Sequence, residues 1–99
     1  MVEEIIRYYA KVNARDEIFF GVDYIEASGA VGGIAYRATP ESIAGFILER
    51  QKQHPAATLV NGPHPNLDKR YHSDGFGEFR LRPLTNAEEN QLLAALNGK

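Results

Sequence analysis

The sequence predicts an α+β two-layer sandwich, because one well-delimited helix is flanked on both sides by strand-like segments. Residues 39–53 carry the clearest helix signal, with Thr39 as a hydroxyl N-cap, proline in the first helical position and His54-Pro55 as the stop. One side of this helix is apolar and needs a partner surface. We therefore predict a mainly antiparallel sheet of about four strands packed on two to three helices.

Residues 2–14 fit two patterns. On a helical wheel their apolar and charged side chains separate, and the acidic residues precede the basic ones, which suits the helix dipole. The same segment also alternates as a strand does, with Ile6, Tyr8, Ala10 and Val12 on one face. Because the charge placement requires the helical arrangement, we predict a helix here and keep a strand as the alternative.

Four strands and a final helix complete the predicted order α-β-β-α-β-β-α. The strands are predicted at residues 17–27, 31–38, 57–60 and 76–84. Gly32-Gly33 indicates either a bulge within the second of these strands or a place where another backbone comes close. The final helix opens with a capping box formed by Thr85 and Glu88, and Gly98 is its expected C-cap.

Size and composition indicate a single domain over residues 1–99. The chain has no cysteine, so it has no disulfides, and it contains no long apolar run. Its first residues also lack the basic start of a signal peptide, and we expect a cytoplasmic protein that does not engage a membrane. Eleven basic and thirteen acidic residues give a net charge of −2, whereas dedicated nucleic-acid binders usually carry a basic excess.

A long polar segment at residues 61–75 exceeds the length of a tight hairpin turn, and such segments are often functional. It contains four residues of metal-ligand type, His64, Asp68, His72 and Asp74. A solvated turn explains these residues better, because no helical pair of histidines fixes a metal geometry. We predict no metal, and we keep a small-ligand or metal-binding enzyme that uses these four residues as an alternative.

Two other enzyme-like patterns are incomplete. His72-Ser73-Asp74 has the residue types of a hydrolase triad, but adjacent residues do not easily align a base, a nucleophile and an orienting group. Gly29, Gly32 and Gly33 are followed by a strand, whereas a phosphate-binding loop needs a helix immediately after it. We therefore predict no cofactor and no catalytic residues, and we favour a protein that is not an enzyme.

Basic and aromatic residues gather in residues 61–77 and in the strand that follows. The candidate binding residues are Lys69, Arg70, Tyr71, His72, Phe76, Arg80 and Arg82. Sheets that bind single-stranded RNA combine exposed aromatic rings with such positive charge. Residues 74–79 resemble the strand signature of the RNA recognition motif, and residues 18–21 resemble its partner signature. Asp74 and Glu78 replace a basic and a stacking residue of that family, so we do not assign the chain to it.

These observations favour a non-enzymatic interaction protein that engages a protein partner or forms a homodimer. The predicted contact surface consists of residues 61–77 and the strand face with Arg80 and Arg82. Its aromatic side chains would supply buried area, and its basic side chains would steer an acidic partner. Single-stranded nucleic-acid binding on the same face is the alternative.

Overall fold

The computed structural model describes residues 4–25, 31–63, 72–73 and 78–98, and it is α+β, with six strands and two helices in that part of the chain. The strands are β1 (Ile5–Val12), β2 (Ile18–Ile25), β3 (Val31–Ala38), β4 (Thr58–Asn61), β5 (His72–Ser73) and β6 (Glu78–Arg82). The helices are α1 (Pro40–Gln53) and α2 (Asn86–Asn97). The predicted order α-β-β-α-β-β-α is not confirmed, because the first described element is a strand.

The helix predicted at residues 2–14 is wrong, and the strand kept as the alternative is present, since residues 5–12 form β1. Both faces of β1 are covered, so its apolar residues do not have to fall on one helical side. Ile6 and Ala10 are fully buried on the face toward the helices, and Tyr9 and Lys11 are fully buried on the opposite face. Because both faces of β1 are buried, apolar residues occur at successive positions, and several of them also fall on one side of a helical wheel. The packing of the strand outweighs the helical charge pattern.

The sheet is mixed, which corrects the prediction of a mainly antiparallel one. Its strands follow the order β3-β2-β1-β6-β5, and β4 pairs with β1 outside this path. β1 is antiparallel to β2 along its whole length, and it is parallel to β4. Along the same edge, β4 pairs with Ile5 to Tyr8, and β6 pairs in antiparallel fashion with Ala10 to Val12.

The two helices begin and end where the sequence predicts. The Thr39 side chain accepts a hydrogen bond from the Ser42 N–H at the start of α1, and His54 caps its end. The capping box of Thr85 and Glu88 is present at the start of α2. These ends depend on residues next to one another in the chain, which is why local sequence signals identify them.

The main core lies between one face of the sheet and both helices. Its buried members on the sheet side are Ile6, Tyr8, Ala10, Phe20, Val22 and Ala38, and those beyond the sheet are Ile43, Ala44, Ile47, Leu84 and Leu92. Ile43 and Ile47 are fully buried, as the apolar side of α1 predicts. A smaller cluster on the opposite face of the sheet contains Tyr9 and Leu81, with Phe19 packed against it.

The ends of β4 and β6 meet beside β1, and the side chain of Asn61 joins them. Its Nδ2 donates to the Leu84 carbonyl oxygen at 3.0 Å, and its Oδ1 accepts from the Leu84 N–H at 2.8 Å. The Gly62 N–H donates to the Tyr8 carbonyl oxygen at 2.8 Å, with Gly62 at a φ of 130° that favours glycine. The amide thus replaces a backbone partner where two strands leave the sheet.

The bulge predicted at Gly32-Gly33 lies elsewhere. Both glycines pair regularly with β2, opposite Tyr24 and Asp23. The register shifts farther along, because Val22 pairs with Ile34 while Phe20 pairs with Ala38. Two extra residues of β3 are therefore accommodated near its C-terminal end, where the chain turns toward α1.

Replacing Asn61 with alanine should destabilise the protein by about 1–3 kcal/mol, because both Leu84 backbone groups lose their partner. Urea unfolding followed by circular dichroism measures this change. Asn97→Ala, at the exposed last position of α2, is the matched control and should change the free energy of unfolding by less than about 0.5 kcal/mol. Equal effects of the two substitutions would contradict the role of Asn61.

Candidate functional site

Of the predicted binding residues, the structure describes the side chains of Arg80 and Arg82. Lys69, Arg70, Tyr71 and Phe76 lie outside the described residues, as do the alternative metal ligands His64, Asp68 and Asp74. His72 lies in β5, where its backbone pairs with Phe79 of β6. Within the described residues, no three His, Cys, Asp or Glu side chains are grouped as metal ligands.

Arg82 forms an ion pair with a residue of α2. Its Nη1 and Nη2 donate to the two carboxylate oxygens of Glu88 at 2.8 and 3.0 Å, which is a bidentate pair. These hydrogen bonds, together with the charge of Arg82 and the contacts to Thr85, lower the pKa of Glu88 to about 2 despite its partial burial. Arg82 therefore has a structural role, as it anchors the first turn of α2 to β6.

A second bond ties α2 to the central strand. The Tyr8 hydroxyl donates to Glu89 Oε2 at 2.7 Å. Burial of the ring, with the hydrogen bond and the charge of Glu89, raises the pKa of Tyr8 to about 12. Both charged residues of α2, Glu88 and Glu89, are thus used to hold the helix on the sheet.

Arg80 is exposed at the end of the sheet. Its side chain is 72% exposed, and its Nη2 lies 3.4 Å from Oδ1 of Asp16, which is itself 84% exposed. Such an ion pair between exposed groups contributes little to stability. The guanidinium of Arg80 can therefore exchange Asp16 for a carboxylate of another molecule.

Arg80 belongs to a row of side chains across three strands. Val12 pairs with Ile18 on one side and with Arg80 on the other, so all three point to the same face of the sheet. Ile18 is 46% exposed. A depression of about 340 Å³ lies beside this row, and among the described residues Val12, Arg80 and Arg82 line it. We call Val12, Ile18, Arg80 and Arg82 the sheet-end surface.

A different polar cluster links the start of β1 to the end of α1. Glu4 Oε1 accepts from Nη2 and Nε of Arg50 at 2.8 and 3.1 Å, and the Glu4 side chain is 4% exposed. The Arg50 guanidinium lies 3.8 Å from the centre of the Tyr24 ring, which stacks on Phe46. The second oxygen, Oε2, accepts no hydrogen bond from the described residues, although His54 Nε2 lies 3.2 Å away.

The face of the sheet opposite the helices also buries polar groups. The Tyr9 hydroxyl donates to Asp23 Oδ2 at 2.9 Å, and burial of this phenol is the largest cause of its raised pKa. The Tyr9 ring also lies over Gly21, where a Cβ atom would come within 2.5 Å of a ring carbon. Lys11 is fully buried on this face and has partners of its own. The contacts of Tyr9 with Asp23 and Gly21 join β1 to β2 and are structural.

Sequence reasoning identifies the two arginines of the sheet-end surface and misses its apolar members. The sequence predicts that Ile18 lies on a strand, but it does not identify the side chains beside it on neighbouring strands. Val12 falls within the helix that is predicted over residues 2–14. The two become adjacent through the pairing of β1 with β2, which joins residues on either side of a turn. The exposure of Ile18 depends on where the helices lie over the sheet, which is determined by contacts between residues distant in the chain. Neither described helix has the length and apolar character needed to cross a membrane.

The pair of Arg82 and Glu88 predicts a specific loss of stability in acid. The folded-state pKa of Glu88 is lowered from 4.5 to about 2, so its contribution is complete above about pH 4.5 and disappears as the pH falls toward 2. Glu88→Gln keeps a capping-box residue and removes the charge. The difference in unfolding free energy between wild type and this variant should therefore shrink from pH 7 to pH 2. A difference that is constant over this range would contradict the assignment, and Glu49→Gln, which removes an exposed carboxylate, is the control.

Removing the Glu4 carboxylate should be more costly than removing an exposed one. Glu4→Ala removes the buried carboxylate that binds the largely buried Arg50 guanidinium, and we expect a loss of about 3–5 kcal/mol in unfolding free energy. Glu49→Ala breaks a pair with Lys52 at 4.0 Å in which both side chains are exposed, and should change stability by less than about 0.5 kcal/mol. Chemical denaturation of both variants makes the comparison, and similar losses would refute the importance of the buried pair.

Comparisons with known proteins add no further constraint on this site. No family model matches the chain, and no curated protein and no solved structure matches it either.

Proposed function

We propose that this protein is a non-enzymatic binding protein, and that its sheet-end surface engages an acidic protein partner. The observation that carries the proposal is the row of Ile18, Val12 and Arg80 at the end of three paired strands, in which Ile18 and Arg80 are exposed and Val12 is half-buried. Two apolar side chains and a cation side by side match a partner segment that combines an apolar residue with a carboxylate.

The surface is held in place by the sheet and by α2. Val12 is fixed by its pairing with both neighbouring strands, and Arg82 is fixed by its bidentate pair with Glu88. The exposed guanidinium of Arg80 remains adjustable, because its pair with Asp16 is long and solvated. An ordered apolar floor beside an adjustable cation favours recognition of a flexible acidic segment.

Residues 61–77 are the second part of the proposed contact surface. β5 pairs with β6, opposite Glu78 and Phe79, and Lys69, Arg70 and Tyr71 directly precede β5 in the chain. In this proposal they extend the basic and aromatic character of the surface, together with His72 and Phe76. Their positive charge would accelerate encounter with an acidic partner.

The experiment is fluorescence anisotropy with a labelled peptide of alternating leucine and glutamate. We expect it to bind more tightly than a peptide of alternating leucine and lysine, and to weaken as salt is added. Arg80→Glu should lower the affinity about ten-fold, which corresponds to about 1.4 kcal/mol. Lys52→Glu reverses an exposed charge on α1 and is the matched control, with no change expected.

Three outcomes would overturn this proposal. They are equal binding of the two peptides, unchanged affinity in Arg80→Glu, and salt-sensitive binding of single-stranded RNA in preference to the acidic peptide. The last result would instead favour nucleic-acid recognition on the same face.

A further inference from the structure

The outward side of α2 carries no charged residue. Over residues 86–98 the charged side chains are Glu88 and Glu89, and both are committed to contacts with the sheet through Arg82 and Tyr8. The exposed positions of the helix are uncharged. They are Asn86, Ala87, Asn90, Gln91, Leu93, Ala94 and Asn97, and we call them the α2 outer face.

The α2 outer face is continuous. At 100° per residue its members fall within one sector of about 160°, opposite the buried Leu92. Leu93 is 42% exposed, and Ile18 is the other exposed large hydrophobic residue among those that the structure describes. The exposed side of α1, by contrast, carries Glu41, Glu49 and Lys52. The exposed sides of the two helices therefore differ in charge, that of α1 being charged and that of α2 uncharged.

We propose that the α2 outer face is the self-association surface of this protein, through which two copies form a two-fold dimer. A two-fold axis places the same patch against itself, so any charged residue near the axis would meet its own like charge. The α2 outer face avoids that repulsion. A different protein that recognises its partner by charge would find no charged side chain on the α2 outer face.

The polar members of the face also suit pairing with themselves. Asn90, Gln91 and Asn97 each carry an amide that both donates and accepts, so an amide of one copy can bond to any amide of the other copy that lies opposite it. Ala87 and Ala94 are small enough for two helices to approach closely, and Leu93 supplies apolar area. Interfaces are depleted in charged residues in the same way.

The size of the face sets the expected strength. α2 has 12 residues and is therefore about 18 Å long. A contact between two such helices lies at the lower end of specific protein interfaces, which is the range of weak complexes. We therefore expect a dimer that forms and dissociates with concentration, with a Kd above about 1 μM.

Sedimentation equilibrium of the full chain over about 10 μM to about 1 mM tests the proposal. The average mass should rise from one copy toward two. Ala94→Lys introduces a like charge on each side of the axis and should weaken the dimer at least ten-fold. Ala56→Lys makes the same substitution at an exposed turn position and is the control, with no change expected.

The two surfaces are distinguishable in this experiment. Arg80→Glu should leave the dimer unchanged, because Arg80 lies on the sheet-end surface and outside α2. Circular dichroism and the unfolding midpoint of Ala94→Lys report whether α2 remains folded. If this variant is less helical, Leu93→Ser replaces it and should also weaken the dimer. A monomer at every concentration, or a dimer that persists in the folded variant, would overturn the proposal.

Discussion

The fold depends on β1, whose two edges are both occupied by other parts of the chain. β2 covers one edge, while β4 and β6 share the other, one parallel and one antiparallel. Two strands sharing one edge leave backbone groups that need partners where they meet. The Asn61 amide supplies those partners to Leu84, and the Gly62 N–H supplies one to Tyr8. The sheet is continuous because a side chain completes its hydrogen bonding.

The helices are secured to this strand through polar contacts at two places. At the start of β1, the buried carboxylate of Glu4 holds Arg50 near the end of α1. In the middle of the strand, Tyr8 holds Glu89 of α2, and β6 adds the bidentate pair of Arg82 and Glu88. These contacts fix where the helices lie over the sheet, and consequently which side chains at its end remain exposed. The sheet-end surface is a result of that placement.

The sequence is informative where structure is local and misleading where it is not. Thr39 and Thr85 identify both helix starts, because a cap and its helix are adjacent in the chain. The prediction for residues 2–14 is wrong because Glu4 and Lys11 resemble solvent-facing helix positions, whereas both are buried by partners distant in sequence. The sheet-end surface is predicted in part, since Arg80 and Arg82 share a strand. Its apolar members require the pairing register, and the uncharged side of α2 requires knowing that both glutamates point inward.

The shared edge of β1 also has a consequence for how the protein folds. β1 and β2 form a hairpin from residues close in the chain. The other edge of β1 pairs with Thr58–Asn61 and Glu78–Arg82, which lie much later in the sequence. Contacts at such separations carry a large loop-closure cost and slow folding. During synthesis, the first strand therefore leaves the ribosome long before its last neighbour exists. Until Glu78–Arg82 has been synthesised, a nascent chain that exposes this edge of β1 is at risk of pairing with the wrong strand.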